Sequence, residues 1–409
     1  MKKRLDQEEY AEQLLLKDRA LAATAEGVTI SDPSLPDNPL IFANEGFERL
    51  TGYAVDEVMG RNCRFLQGPD TDPETAQVIR DAIAGDTPCT VQILNYRKDG
   101  SPFWNRLSIT PVRDASGKVT HHIGIQSDIT AQKNAEDALR RAKRDLEAAN
   151  ERMSNDLAAA AKVQRALLPV AVPETPGVEF AWVFEPSAEL AGDLLNIFRL
   201  PGGQVGLYVL DVSGHGVASA LLSVTVSRLL TPYPGRSVLF TPDSGNSDGH
   251  SLASPSEVAQ KLNEYFPFDP RTAQYFTLLY AVLNPETREL RYVSAGHQPP
   301  ILLPADGAPE SLESTGPPVG MLPNLSFEDR LVHLGVGDRL FICTDGVVEA
   351  ENGNQEEFGL DRLLGRLTAT RKLPVQESAG AVMSQVKEWR GSPSLEDDAS
   401  MVLLQTNGI

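Results

Sequence analysis

Gly60-Arg61-Asn62-Cys63-Arg64-Phe65-Leu66-Gln67-Gly68-Pro69-Asp70-Thr71-Asp72 carries one cysteine between an asparagine and an arginine, then closes in a Gly-Pro turn. A lone cysteine is most often a small buried hydrophobe, so its surroundings decide the reading. Before it run VTISD (28–32) and PLIFAN (39–44). After it run CTVQILNYRKDG (89–100), PFWNRLSITPVRD (102–114) and VTHHIGIQSDI (119–129). These are short strand-like pieces. Lys98-Asp99-Gly100-Ser101 and Asp114-Ala115-Ser116-Gly117 separate the last three as hairpin turns. Helical pieces fall between the second and third strands. Residues 21–130 therefore predict a small α+β unit, an antiparallel sheet with helices on one face.

Outward from that unit the texture changes. Residues 1–20 place Leu5, Tyr10, Leu14 and Leu15 among charges at helical spacing, which predicts a short N-terminal helix. Residues 131–168 carry Leu139, Ala142, Leu146, Ala149, Met153, Asp156, Ala160, Val163 and Leu167 three and four apart, without Gly or Pro. That is a heptad seam broken by Asp156, and it predicts a helical coiled-coil linker and a homodimer. Pro169, Pro173 and Pro176 end the helix. Residues 169–409 alternate β-like runs (QVGLYVLDV, YFTLLYAVLN, LRYVSAGH, DRLFICTDG, ASMVLLQ) with helical stretches. TPYPGRSVLFTPDSGNSDGHSLASPS, residues 231–256, reads as a long mobile surface loop.

Composition narrows the function. With Lys+Arg 37 against Asp+Glu 56 the net charge is −19, which repels nucleic acid and anionic membranes. Three widely spaced cysteines (Cys63, Cys89, Cys343) form no disulfide framework and indicate a reducing compartment. The basic N-terminus is followed by no apolar core, and no run is long enough to span a bilayer. The expectation is a soluble, cytoplasmic, multidomain protein.

The last section repeats one pattern. Ala191-Gly192-Asp193, Asp211-Val212-Ser213-Gly214-His215-Gly216, Thr344-Asp345-Gly346 and Glu396-Asp397-Asp398-Ala399-Ser400 set carboxylates near strand ends, mostly beside glycine. Hard divalent cations such as Mg²⁺ or Mn²⁺ prefer such oxygen donors and keep several waters. Two of them about 3.5–4 Å apart can hold a hydroxide and clamp a phosphate.

GRNCRFLQGPDTD, with SDPSLPDNPLIFAN before it and NYRKDGSPFWN and GIQSDIT after it, resembles the signature of LOV domains, the flavin-binding branch of the PAS family. The resemblance implies bound flavin mononucleotide and a thiol, Cys63, that adds reversibly to ring position C4a under blue light. It implies that Arg64 and Arg80 hold the phosphate, and that Asn62, Gln67, Asn95 and Asn105 bond the polar ring edge and the ribityl chain. Leu107 and Ile125 would cover the ring faces. Gln126 would turn its amide when N5 gains a proton, on the strand that leads into the linker.

The four carboxylate motifs, together with AKVQRALLP, SAGHQPP, GPPVGM and TDGVVEAENGNQEEFG, resemble the PPM (PP2C-type) phosphatases of the bacterial sporulation and stress-response branch, over residues 160–405. That implies an α/β fold with a central β-sandwich flanked by helices, and two Mn²⁺ or Mg²⁺ ions. Asp211 would bridge the ions and the Val212 carbonyl would bind one. Asp345 and Asp397 would complete the other, and Asp193 would serve the first, with Asp398 the alternative to Asp397. The nucleophile would be water on the metal. His215 and His297 are candidates for orienting water or phosphate, or structural turn residues. Asn196 departs from the branch's usual acid, which puts one metal site in doubt.

Joined, these readings predict a blue-light-regulated serine/threonine protein phosphatase acting on a phosphorylated anti-sigma-factor antagonist. The alternative is a catalytically decayed, light-gated partner-binding protein.

Overall fold

Alternation along five strands builds the first unit. β1 (Gly27–Ser31), β2 (Leu40–Ala43), β3 (Cys89–Tyr96), β4 (Pro102–Arg113) and β5 (Val119–Asp128) pair antiparallel in the order β2-β1-β5-β4-β3. The computed structural model describes residues 12–13, 15–17, 19–233, 237–243, 250–271 and 273–408. Most of the helix expected over residues 1–20 lies outside them. Helices Glu45–Thr51, Val55–Val58 and Pro73–Ala84 and a 3₁₀ turn, Cys63–Leu66, lie between β2 and β3. The longest of these starts on Pro73, with Asp72 accepting from the backbone N–H of Glu74 and Thr75. Phe47, Val58 and Leu66 pack with Leu40 on one side of the unit, and Ala76 and Ile79 pack on Ile93 and Ile109 on the other.

β5 runs straight into one helix of 36 residues, Thr130–Arg165. Its start is fastened: the Thr130 N–H donates to Asp128, and the Thr130 hydroxyl accepts from the Trp104 N–H at 2.9 Å. Uninterrupted helix formers carry it on. The helix stops at Arg165, three residues short of the expected boundary, where a tighter turn brings Leu168 into the core before Pro169. Leu139, Leu146, Met153 and Val163 are 60–73% exposed, so the expected seam is uncovered in a single chain.

The chain divides into compact units Met1–Ala149 and Asn150–Ile409. In the second, β7 (Leu194–Arg199), β8 (Val205–Val212), β11 (Phe276–Asn284), β12 (Glu289–Ala295) and β15 (Arg330–His333) form one antiparallel sheet in the order β15-β12-β11-β8-β7. A second sheet is ordered β14-β13-β16-β17-β6, from β6 (Val178–Glu185), β13 (Ile301–Leu303), β14 (Glu310–Ser311), β16 (Arg339–Cys343) and β17 (Ala399–Thr406). Leu207, Val209 and Leu279 from the first sheet share a dry core with Leu340, Ile342, Val402 and Leu404 from the second. Helices Val217–Leu229 and Pro255–Tyr265 pack on the first sheet, and Val375–Arg390 packs on the second. The result is the expected β-sandwich flanked by helices.

The stretch 231–256 departs from expectation. Val238, Leu239, Phe240 and Ala253 are buried in the sandwich core. Two short strands, β9 (Phe240–Pro242) and β10 (His250–Leu252), pair there. An apolar triplet inside a Pro-, Gly- and Ser-rich run anchors it, so those described parts are no passive surface loop. Among the described residues no helix is long and apolar enough to cross a membrane.

Candidate functional site

In the first unit a cavity of about 430 Å³ lies between the sheet and the helices. Asn62, Cys63, Arg64, Gln67, Arg80, Asn95, Asn105, Leu107 and Gln126 all line it. The turn bearing Cys63 is set by Asn62. The Asn62 Oδ1 accepts from the Arg64 N–H at 3.0 Å, and its Nδ2 donates to the carbonyls of Asp37 and Asn38. Both amide hydrogens of Asn62 are thus committed to backbone. Behind the turn, the Thr71 hydroxyl donates to the Leu94 carbonyl at 2.6 Å and Tyr96 donates to Asp70 at 2.7 Å, fixing the loop.

Cys63 is half-buried, and its remaining exposure opens on the cavity. Desolvation pushes its pKa up to about 12, so near neutral pH it is a thiol and not a thiolate. Asn105 donates to the Asn95 Oδ1 at 2.9 Å, which leaves the buried Asn105 Oδ1 without a partner. The Gln126 Oε1 is likewise buried and unpartnered. Arg64 pairs with Asp37 at 2.6 Å in an exposed bridge of the kind that yields readily to another anion. Apolar walls, orphaned amide oxygens and two guanidinium groups at one cavity fit a flavin nucleotide.

Ile125 does not fit its expected role. On β5 the residues lining the cavity are His122, Gly124 and Gln126, and Ile125 points to the opposite face, 38% exposed. Period-two alternation dictates this. Ile79, Ile93 and Ile109 join Leu107 as apolar lining instead. The same alternation reveals two residues that motif reading passed over. Thr29 on β1 accepts from the Gln126 Nε2 at 3.1 Å. His122 is 3% exposed with neither ring nitrogen hydrogen-bonded, and burial lowers its pKa against the opposing charge of Asp86, 3.9 Å away.

In the second unit four strand ends bring the acids together. Asp193 precedes β7, Asp211 is near the end of β8, Asp345 follows β16 and Asp397 precedes β17. Antiparallel pairing sets Leu194 opposite Leu210 and Cys343 opposite Met401. Gly192 is needed here, because a Cβ on it would lie 2.9 Å from the Val212 carbonyl oxygen. A Cβ on Gly346 would lie 2.1 Å from the Asp398 carbonyl oxygen.

Electrostatics mark the cluster. Burial, then the charges of Asp345, Asp397, Asp398 and Glu349, push Asp211 up to about 7. Burial and the charges of Asp211 and Asp398 raise Asp193, whose carboxylate accepts from the Thr344 hydroxyl at 2.8 Å. Burial and Asp397 raise Asp345. Glu349, one helical turn after Asp345, belongs to the set and was missed. Its spacing of four from Asp345, in Asp-Gly-Val-Val-Glu, was the available signal. Among the described residues no group of three or more His, Cys, Asp or Glu is gathered tightly enough to cage an ion alone. Mg²⁺ or Mn²⁺ ions that keep most of their waters need only one or two carboxylates each, and mutual repulsion among these acids is relieved by cations. The donor set fits.

Asp397 and Asp398 differ in their bonds. The Asp398 Oδ1 accepts from the Ser187 N–H and hydroxyl, and its Oδ2 accepts from the Gly192 N–H at 2.7 Å. Asp397 is exposed and acts on both Asp211 and Asp345. The two histidines stand apart. His215 is exposed, whereas His297 is buried, donates from Nδ1 to the Gln298 carbonyl and is depressed by burial to about 4. The charges acting on Asp193 and Asp211 are all carboxylates.

Asn196 corrects an expectation. It lies on β7, three residues beyond Asp193, and its Nδ2 donates to the Leu167 carbonyl at 3.3 Å. It therefore braces the segment that follows the linker helix, and it is not among the charges or hydrogen bonds acting on Asp193 and Asp211.

The linker reaches this site directly. Gln164, 3% exposed, donates from Nε2 to the Ala191 carbonyl at 2.6 Å and accepts from the Ala191 N–H at 3.1 Å. Ala191 is two residues from Asp193. Ala161 packs there with Leu190 and Ala220.

Known proteins resemble the chain in two blocks. A family described as stage II sporulation protein E (SpoIIE) matches residues 201–407, and one described as PAS domain matches residues 25–131. A blue-light-activated histidine kinase of Brucella anthropi is 49% identical over 113 residues, 28% of this chain and 23% of that protein. The chain thus spans about a quarter of that relative's length. The SiaA-PP2C domain of Pseudomonas aeruginosa shares the fold at 17% identity and TM-score 0.53, over 64% of this chain and 99% of that one. A LOV domain from an Erythrobacter litoralis blue-light activated histidine kinase is 44% identical over 25% of this chain and 95% of that one, with TM-score 0.25.

Proposed function

The chain belongs to the SpoIIE family, carrying a PAS domain of LOV type ahead of its PP2C-type phosphatase domain, and on that premise we propose that it is a blue-light-regulated, metal-dependent serine/threonine protein phosphatase. One observation carries the coupling. The strand that holds Gln126 at the cavity continues into the helix whose far end, through Gln164, holds Ala191 beside Asp193.

Bound flavin mononucleotide would supply absorption of blue light and an excited ring able to accept a thiol. Arg64 and Arg80 would hold its phosphate, and Asn95 and Asn105, with Gln67 and the remaining acceptor capacity of Asn62, its polar atoms. Cys63, desolvated, keeps its proton near neutral pH and would face the ring as a thiol. It would present its sulfur and its hydrogen together to that ring, so no outside redox partner is called for. Gln126 would turn its amide to match the changed hydrogen bonding at the ring.

At the other site two Mn²⁺ or Mg²⁺ ions would supply an activated water and a clamp for phosphate. Asp211 and the Val212 carbonyl, with Asp193 behind them, would hold one side and Asp345 and Asp397 the other. The substrate would be a phosphoserine or phosphothreonine protein, an anti-sigma-factor antagonist in this reading. The uncovered seam of the linker supports pairing of two copies, a switchable contact because its alanines bury little area.

The test is phosphatase rate on a generic phospho-substrate with Mn²⁺, in darkness and blue light, for the parent and Cys63→Ala. A light-dependent rate lost in Cys63→Ala is expected. Equal rates in both states would overturn direct gating, and no rate even on the protein substrate would overturn the enzyme.

A further inference from the structure

The Gln126 amide sits in a chamber with bare walls. Glycines flank it: a Cβ on Gly124 would stand 3.0 Å from the Gln126 Nε2, and one on Gly27 would stand 3.1 Å from the Oε1. Inside the chamber one side chain bonds the amide, the Thr29 hydroxyl, which accepts from Nε2 at 3.1 Å. Thr29 and Gln126 are 3% and 1% exposed, so bulk water has little access to either partner. The Thr29 hydrogen is directed to the Gly124 carbonyl at 3.4 Å, a long contact that is easily surrendered.

A hydroxyl has one hydrogen and two lone pairs, so it can accept from an amide nitrogen or donate to an amide oxygen. We propose that Thr29 is a positioning residue that serves Gln126 in both of its amide orientations and passes the change to the backbone of β5. This rests on the flavin-photosensor reading. With Nε2 toward the cavity, Thr29 accepts from it and gives its own hydrogen to Gly124. With Oε1 turned in, Thr29 swings its hydrogen to Oε1 and releases the Gly124 carbonyl. No proton leaves either residue, and only the direction of one O–H changes. The bare walls at residues 27 and 124 let the amide turn without moving either strand.

The sign follows from which orientation suffers more without the hydroxyl. Deleting it orphans an N–H in the first orientation and only a second lone pair of Oε1 in the other. Buried orphan donors are the costlier fault. Loss of the hydroxyl therefore favours the light-adapted state.

The experiment uses the full chain loaded with flavin mononucleotide, following dark recovery of flavin absorption and light-minus-dark infrared spectra. Thr29→Val keeps the branched shape and is expected to slow recovery about three- to tenfold and to shift the glutamine carbonyl band. Thr29→Ser restores the hydroxyl and should return both readouts to parental. Recovery of Thr29→Val at or above the parental rate, or Thr29→Ser matching Thr29→Val, overturns the inference. Gly27→Ala, which fills the chamber, should shrink the glutamine infrared signal while the absorption change persists, and an undiminished signal would also overturn it. A parent that binds flavin but shows no light-induced absorption change sinks the photosensor reading instead.

Discussion

Two adjacent carboxylates show how residue-level bonding sorts roles that spacing leaves open. Asp398 accepts three donors from Ser187 and Gly192 while buried, whereas Asp397 stands exposed near Asp211 and Asp345. Asp398→Asn is expected to lose charge-assisted bonds and destabilise the second unit by about 3 kcal/mol, measured as a fall in Tm. Asp397→Asn should leave stability within about 0.5 kcal/mol of the parent, yet raise the Mn²⁺ needed for half-maximal phosphatase rate. Asp211 adds a pH signature. Its folded pKa of about 7 lies above the ordinary carboxylate value, so the folded protein binds more protons than the unfolded one across that window. Metal-free stability should therefore fall as pH rises from the ordinary carboxylate range toward 7. Excess Mn²⁺ should flatten or reverse that slope in chelated-versus-loaded melting curves.

At the scale of elements, the linker helix is where sequence and structure part most usefully. Its seam was legible because apolar residues three and four apart define a face whatever lies against it. The strands of both units were legible for the same reason, as were the four acids, which sit at their ends. Gln164 was not, because a glutamine on a helix has no periodic signature; only the fold brings Ala191 to it. Asn196 misled, since a departure from a family pattern does not tell which face of a strand it occupies. Ile125 likewise needed the register, because one step along a strand reverses the face. Gln164→Ala strips both partners from the buried Ala191 backbone. A stability loss of about 1–3 kcal/mol in the second unit, read as a fall in Tm, is expected, with weakened Mn²⁺ activation and an unchanged flavin spectrum. Unchanged Mn²⁺ activation would show that the contact is only a support.

For the whole molecule, the proposed light capture and hydrolysis would be separate chemistries in separate units, and the chain's net charge of −19 attracts cations and repels phosphate-rich polymers. The unbroken helix Thr130–Arg165 has a consequence of its own. Such a helix is about 54 Å long, and each residue added to it advances the helical phase by about 100°. The output should consequently depend on angular phase rather than on distance. Inserting seven residues, roughly two full turns, would keep light and dark rates in their parental order, whereas inserting two would set the far end nearly half a turn out and abolish or invert the difference. Phosphatase rates across a ladder of insertions near Ala148 would then trace a periodic curve. A smooth decay with length would mean the helix is merely a tether.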